Sequence, residues 1–344
     1  MASKDKAHYQ AVKEVEKDLE NKLIEIHNLL KNKTYKVSSY TIKKIKDNGK
    51  ERILMKLPYY PDRIVQWAIM LQLENIFYKN FCKHTCASIK NRGTTKASEL
   101  LRRYLRDEEN TQYCLKIDVK KFYPNINHEI LKKLLRKKFK DKDLLWLLDL
   151  YIDSAEGEIG VPIGSYLSQF LGNFYLSYFD HWLKEDKHIK YVIRYMDDVV
   201  ILHKDKTYLH SLFLEIKNYL KKELKLEVKG NWQIFPSRIR GIDFVGFRDF
   251  GDYNLLRKRI AKNLKSKMIK YKKQVDSGEE LYPWQYCSIL SYCGLALHCD
   301  STRLRRKYIK PLETSVNIYY QKNICNKKKK GKENNGNKRK STNG

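Results

Sequence analysis

Three acidic residues, Asp118, Asp197 and Asp198, stand where apolar runs end. Asp118 closes the short run Leu115-Lys116-Ile117. Asp197-Asp198 separates two β-branched runs, 191–194 and 199–202, which read as the stems of a hairpin. Stems this apolar belong in a core, so the acids at their tips face one another with little water to screen them, and their mutual repulsion makes ionisation costly. Divalent cations are the natural compensation. Two carboxylates clamping two magnesium ions roughly 3.5–4 Å apart is the arrangement for in-line phosphoryl transfer. An Asp-Asp pair in a hairpin is also ordinary turn chemistry, and a single aspartate at a strand end is commonplace. The three together, in a strongly basic chain, favour metal.

That basicity is the strongest number in the composition. Seventy Lys and Arg against 40 Asp and Glu give a formal charge of +30 over 344 residues. Such a surface repels itself unless a polyanion accepts it, which points to nucleic acid. With 42% hydrophobic and 12% aromatic residues, wholesale disorder is excluded, and the length suits about two domains. No apolar run approaches the roughly 18 residues of a membrane span, and the Lys-rich start lacks the apolar stretch of a signal peptide. Seven cysteines without a CxxC pair, with Cys82 and Cys86 lacking partners at zinc spacing, read as reduced thiols. The expected location is therefore cytoplasmic, with no membrane partner.

The elements that must position the acids follow from periodicity. Val12, Val15, Leu19, Leu23, Ile26, Leu29 and Leu30 recur at three- and four-residue steps and predict one amphipathic helix over 5–31. Asn48-Gly49 between 40–47 and 51–57 predicts a hairpin. Asp62 is the expected N-cap of a helix over 62–81, and Gly93-Thr94-Thr95 opens another through Arg103. Strands are expected at 113–119, 226–228, 233–235 and 244–247, and helices at 130–150, 167–182 and 209–224. Residues 255–320 carry mostly helical patterns. Residues 322–344 hold nine Lys/Arg and one Glu with almost nothing apolar, the composition of a disordered basic tail.

In this order the residues resemble a reverse transcriptase. Tyr195-Met196-Asp197-Asp198 is similar to the family's YxDD box, and 115–126, LKIDVKKFYPNI, resembles the motif bearing the first catalytic aspartate, 79 positions earlier. Between them, Gly160 to Gln169 occupies the place where most prokaryotic members carry Gln-Gly-x-x-x-Ser-Pro. Asp62 to Gln66 and Lys90 to Thr94 are similar to the fingers motifs, and Gly241 to Phe247 resembles the primer-grip region. The resemblance covers about residues 50–250. It implies an α/β right-hand polymerase: fingers with the N-terminal helix at 1–112, a palm of antiparallel sheet plus helices at 113–250 with part of the fingers inserted between about 125 and 160, and a helical thumb at 255–320.

It also implies roles. Asp118 and Asp197 would ligate two Mg2+ ions, with Mn2+ able to substitute, the carbonyl of Val119 completing one shell and Asp198 acting as a weaker or indirect ligand. Tyr123, five residues after Asp118, would lie under the incoming sugar and exclude a ribose 2′-hydroxyl. Phe122 is read as core. Ile163 and Gly164 would line the nucleotide pocket, Lys90 and Arg92 would hold the triphosphate, and Lys229 would serve as a general acid toward pyrophosphate. Ile163 and Gln169 depart from the usual Gln and Pro, and this variant resembles the reverse transcriptases of diversity-generating retroelements, whose cDNA synthesis is error-prone at template adenines. An isoleucine that replaces the glutamine offers no hydrogen bond near the sugar and the templating base, so base selection rests on pairing and shape. The role of Gln169 stays open between substrate and helix packing. The expected activity is thus mutagenic RNA-directed DNA synthesis, with template RNA, cDNA, dNTPs and a small basic oligomeric accessory protein as partners in a prokaryotic or phage setting. The length leaves no room for the endonuclease or maturase domains of group II intron proteins, and no RNase H-like segment is expected. The rivals are a retron-type or phage-defence reverse transcriptase and a catalytically silent RNA-binding protein.

Overall fold

The computed structural model describes residues 2–321, apart from 48, 49, 156 and 163. The expected basic tail at 322–344 lies outside the described residues. The chain divides into two compact units, Met1–Pro236 and Ser237–Gly344. The segment 237–250, expected from sequence to belong to the palm, therefore folds within the second unit.

The first unit is built on an antiparallel four-stranded sheet of order β4-β5-β3-β6, with β3 at Tyr113–Asp118, β4 at Tyr191–Tyr195, β5 at Asp198–His203 and β6 at Gln233–Pro236. The pleat sorts its residues by period two. Leu115 and Ile117 of β3, Val199 and Ile201 of β5 and Val192 of β4 share one face and join the main hydrophobic core. That core is completed by α7 (Tyr166–His181) and α8 (Lys206–Leu224), with α3 (Ile64–Asn80), α5 (His128–Lys138) and α6 (Lys142–Asp153) beyond them. Phe170, Phe174 and Phe179 make α7 apolar almost all round, which is why it sits fully inside. The opposite sheet face carries Cys114, Lys116, Asp118, Asp198, Val200 and Leu202. At the end away from the acids it meets α4 (Thr94–Leu105), where the rings of Tyr104 and Tyr191 lie 5.1 Å apart. Two short helices, α1 (Gln10–Lys17) and α2 (Leu19–Lys31), and the hairpin of β1 (Thr41–Asp47) with β2 (Lys50–Lys56) precede this body.

Several expectations are corrected. The single helix over 5–31 begins only at Gln10 and breaks at Asp18, whose backbone leaves the helical region (φ −136°, ψ 44°) and whose carboxylate accepts from Asn21 Nδ2 at 2.7 Å. Asp62 is not an N-cap. It is buried, accepting from the Tyr35 hydroxyl at 2.6 Å and from the Ser38 N–H at 3.2 Å, and α3 starts two residues later. The helix expected over 130–150 is two helices, because Phe139 turns extended to reach the core and Asp141 then caps α6 by accepting from Asp143 and Leu144. Residues 226–228 form no full strand, only a bridge between Val228 and Val119.

The second unit begins with a short helix, α9 (Ser237–Arg240), and a three-stranded antiparallel sheet of β7 (Ile242–Phe244), β8 (Phe247–Asp249) and β9 (Asn254–Leu256). The strand expected at 244–247 is instead the turn between β7 and β8, where Val245 and Gly246 both take positive φ, 43° and 94°. Helices α10 (Lys258–Asp276), α11 (Pro283–Ala296), α12 (Thr302–Leu304) and α13 (Glu313–Tyr320) pack around Leu264, Met268, Tyr271, Tyr286 and Leu312. Among the described residues no helix is long and apolar enough to cross a membrane.

Candidate active site

The sheet brings the expected acids together. Asp118, the last residue of β3, stands directly opposite Asp198, the first of β5. Met196 and Asp197 make the tight turn from β4 to β5, with Met196 at φ 55°. The turn is stitched to β3 by the Val119 N–H, which donates to the Asp197 carbonyl at 3.1 Å. Behind Asp118, its carbonyl accepts from the Lys229 N–H at 2.8 Å, and the Lys120 N–H donates to the Glu227 carbonyl at 2.8 Å. The strand end is thus held from both sides.

From the core side a buried ion pair holds the hairpin. Arg194 of β4, fully buried, donates through Nε and Nη2 to the two oxygens of Asp180 on α7, at 2.7 and 2.6 Å. Its Nη1 donates to the Met196 carbonyl at 3.0 Å and to Asn173 Oδ1 at 3.1 Å, which fixes the turn carrying Asp197. Burial pushes the Asp180 carboxyl up, but Arg194 and the nearby His84 outweigh it and hold Asp180 well below the usual carboxylate range. Thr85 also donates to Asp180, and the Cys86 N–H donates to the Arg194 carbonyl, so the 84–86 segment is knitted to the same strand.

Two lysines meet the acids. Lys116, two residues before Asp118 and on the same face, places Nζ 3.3 Å from Asp198 Oδ2. Lys229 places Nζ 3.6 Å from Asp118 Oδ2. Burial pushes the Asp198 carboxyl up to about 6; Lys116 pulls it down, and Asp118 and Asp197 add repulsion. Asp198 Oδ1 is buried and has no hydrogen-bond partner. Among the described residues no three His, Cys, Asp or Glu side chains are gathered to hold one ion between them, and the lysines lie against the two paired acids. The donor chemistry nevertheless suits a hard divalent cation: carboxylates only, with one oxygen unsatisfied.

Tyr123 also lies here. Its hydroxyl is 3.4 Å from Met196 Sδ, and its ring packs against α7 so closely that a Cβ on Gly172 would sit 3.1 Å from it. Phe122 is buried core as expected. Lys90 is exposed, whereas Arg92 Nη1 donates to the Cys82 and Thr85 carbonyls at 2.7 Å each, fastening the loop that runs beside β4. Gly164, at φ 122°, lies beside β2, where an added Cβ would stand 3.4 Å from the Met55 carbonyl. Gln169 is half-buried in the first turn of α7. Ile163 lies outside the described residues. Sequence reasoning missed Lys116, Arg194 and Asp180; an arginine inside a β-branched run was the available signal for the second.

A family model described as reverse transcriptase (RNA-dependent DNA polymerase) matches residues 42–247. Protein YkfC of Escherichia coli is 28% identical over 203 residues, covering 56% of this chain and 48% of YkfC. The putative COX1/OXI3 intron 1 protein of Saccharomyces cerevisiae is 29% identical over 133 residues, 36% of this chain and 16% of that protein. The chain thus spans less than half the length of either relative. Telomerase from Candida albicans, solved with a fragment of telomeric RNA, superposes with a TM-score of 0.50 at 14% identity over 70% of this chain and 52% of that one. The architecture is that of an α/β right-hand polymerase. With well over half its length matched and its acids on facing strand ends, the chain belongs to the reverse transcriptase family.

Proposed function

We propose that the protein is an RNA-directed DNA polymerase that copies template RNA into cDNA from dNTPs, with Asp118, Asp197 and Asp198 as its catalytic acids. The observation that carries this is the placement of Asp118 opposite Asp198 with Asp197 in the adjoining turn. Asp118 and Asp197 would hold two Mg2+ ions, Asp198 assisting through its unsatisfied oxygen. When bound, such ions supply charge neutralisation for the triphosphate and acidify the primer 3′-hydroxyl. Tyr123 would pack under the incoming sugar. Lys229, already beside Asp118, would donate a proton toward the leaving pyrophosphate. In this reading unit Met1–Pro236 supplies fingers and most of the palm, and the helices after residue 255 supply the thumb.

The finer reading, mutagenic synthesis in a diversity-generating retroelement with a small basic accessory protein, is supported by Ile-Gly-x-x-x-Ser-Gln at 163–169. A second reading, an intron-type reverse transcriptase, is favoured by the likeness to the yeast intron protein. Primer extension on a defined RNA, followed by sequencing of the cDNA, tests all of this. The parent should extend, with errors concentrated opposite template adenine. Asp197→Asn should lose several kcal/mol of charge stabilisation, about a thousandfold in rate, while still binding RNA. Extension by Asp197→Asn at close to the parent's rate would sink the metal-site assignment, whereas evenly spread errors would remove only the retroelement reading.

A further inference from the structure

Helix α5 presents a face that the polymerase reading does not use. Residues 128–140 hold six Lys/Arg, Lys140 included, and one Glu. Its apolar side, Leu131, Leu134 and Leu135, is buried in the main core, so the basic residues turn outward. There Lys132, Lys133, Arg136, Lys137 and Lys140, with Glu129 at one end, line a shallow depression of about 490 Å³. Two of them are anchored to α6: Lys132 reaches both oxygens of Asp153 at 2.6 Å, and Arg136 pairs with both oxygens of Asp149. Lys140 bonds the Arg136 carbonyl at 3.0 Å, while the Lys137 ammonium stands 5.5 Å from the Tyr178 ring. Lys133, Lys137 and Lys140 remain exposed.

Like charges at i,i+4, as in Lys133 with Lys137, destabilise a helix. The helix C-terminus recovers part of that cost for the last-turn residues. It does nothing for Lys133. The core that α5 joins lies on the sheet face opposite to the one that bears Asp118 and Asp198. A template–primer duplex seated on the acids would therefore not reach this stripe. No large apolar residue of α5 is exposed, so the stripe lacks the anchors of a membrane-surface helix.

We infer that the outer face of α5 is a second polyanion-binding surface, which takes the phosphate backbone of folded RNA lying outside the template–primer duplex. Side chains pre-set by Asp149 and Asp153 line the depression, and Lys133, Lys137 and Lys140 supply exposed ammonium groups, none of them paired with a carboxylate in the contacts described above, whose contact with phosphates releases counterions.

The test compares the full chain with Lys133→Gln/Lys137→Gln/Lys140→Gln, and with the same three positions changed to Glu. Fluorescence anisotropy is read across a salt series on two labelled probes, a short RNA–DNA template–primer and a stable RNA hairpin with a long stem. No nucleotide or metal is needed, so the outcome is independent of the polymerase reading. Both variants should melt like the parent and keep primer extension and short-duplex affinity. Hairpin affinity should fall about tenfold or more, and the slope of log K against log salt should shrink by roughly two to three units, for three phosphates no longer neutralised. An unchanged hairpin slope overturns the proposal and leaves the stripe to an acidic protein. An equal loss on both probes also overturns it, because the stripe would then belong to the template–primer channel.

Discussion

Two carboxylates directly opposite one another across an antiparallel ladder destabilise it unless a cation stands near. At Asp118 and Asp198 that cation is Lys116, on the diagonal position of the same face, within reach of a long side chain. Its period-two relation to Asp118 was legible in the sequence. It was passed over because one lysine among 70 basic residues carries little signal by itself. The acids were legible because each ends an apolar run. Arg92, expected to hold the triphosphate, has its Nη1 nitrogen bonded to two loop carbonyls, a structural task that its spacing did not announce. Lys116→Met should lower stability in metal-free buffer at pH 8 by about 1 kcal/mol, or roughly 2–4 °C, because the pair is partly exposed to water. Lys116→Arg should keep the parent's melting temperature. Added Mg2+ should then stabilise Lys116→Met more than the parent, since Asp198 has lost its counterion while only Lys229 remains beside Asp118. Identical melts with and without chelator for all three proteins would mean that Lys116 compensates nothing.

At the scale of elements, the strands that carry the acids were legible and the helix breaks were not. Apolar runs of four to six residues bounded by turns gave β3, β4 and β5 to within a residue or two. The breaks at Asp18 and Phe139 escaped because the Leu and Lys pattern continues across them; what stops each helix is one side chain with a better partner elsewhere. The join between β4 and α7 escaped as well, because nothing in Arg194 or Asp180 alone announces the other. Breaking that join on one side only should be strongly destabilising. Arg194→Met leaves the Asp180 charge buried and should cost about 3–5 kcal/mol, while Arg194→Met/Asp180→Leu should recover most of it. The pH dependence has a definite sign. The folded Asp180 carboxyl is held below the unfolded value of about 3.9, so its stabilisation is complete above that value and is lost as pH falls toward the folded one. Asp180→Asn should therefore be less stable at pH 7 and show a flatter acid limb in urea titrations below about pH 4. A double variant no more stable than Arg194→Met would show that the pair acts through more than its charges.

For the whole molecule, the family and its order of motifs were legible from residues 50–250, close to the matched span of 42–247, because the reaction fixes which residues must stand where. The division at Pro236 was not, since no Gly- or Pro-rich linker marks it. Charge is the property that both units share, and it belongs to no single site. Residues 322–344 carry nine Lys/Arg and one Glu, a net +8 out of +30. A polybasic segment of this composition gains little from folding and much from neutralising phosphates. Removing 322–344 should leave the melting temperature and the rate of nucleotide addition on a saturating template–primer unchanged. It should weaken binding to single-stranded and duplex RNA alike, in contrast to the selective loss expected from α5. The slope of log K against log salt should flatten by about one unit for each phosphate the tail had neutralised, several units if half the tail's charges engage RNA. The two effects should add when the truncation is combined with the α5 substitutions, because phosphates neutralised at separate places release their counterions independently. If the truncated chain keeps the parent's slope, the tail touches no phosphate, and the excess charge must act through the folded units alone.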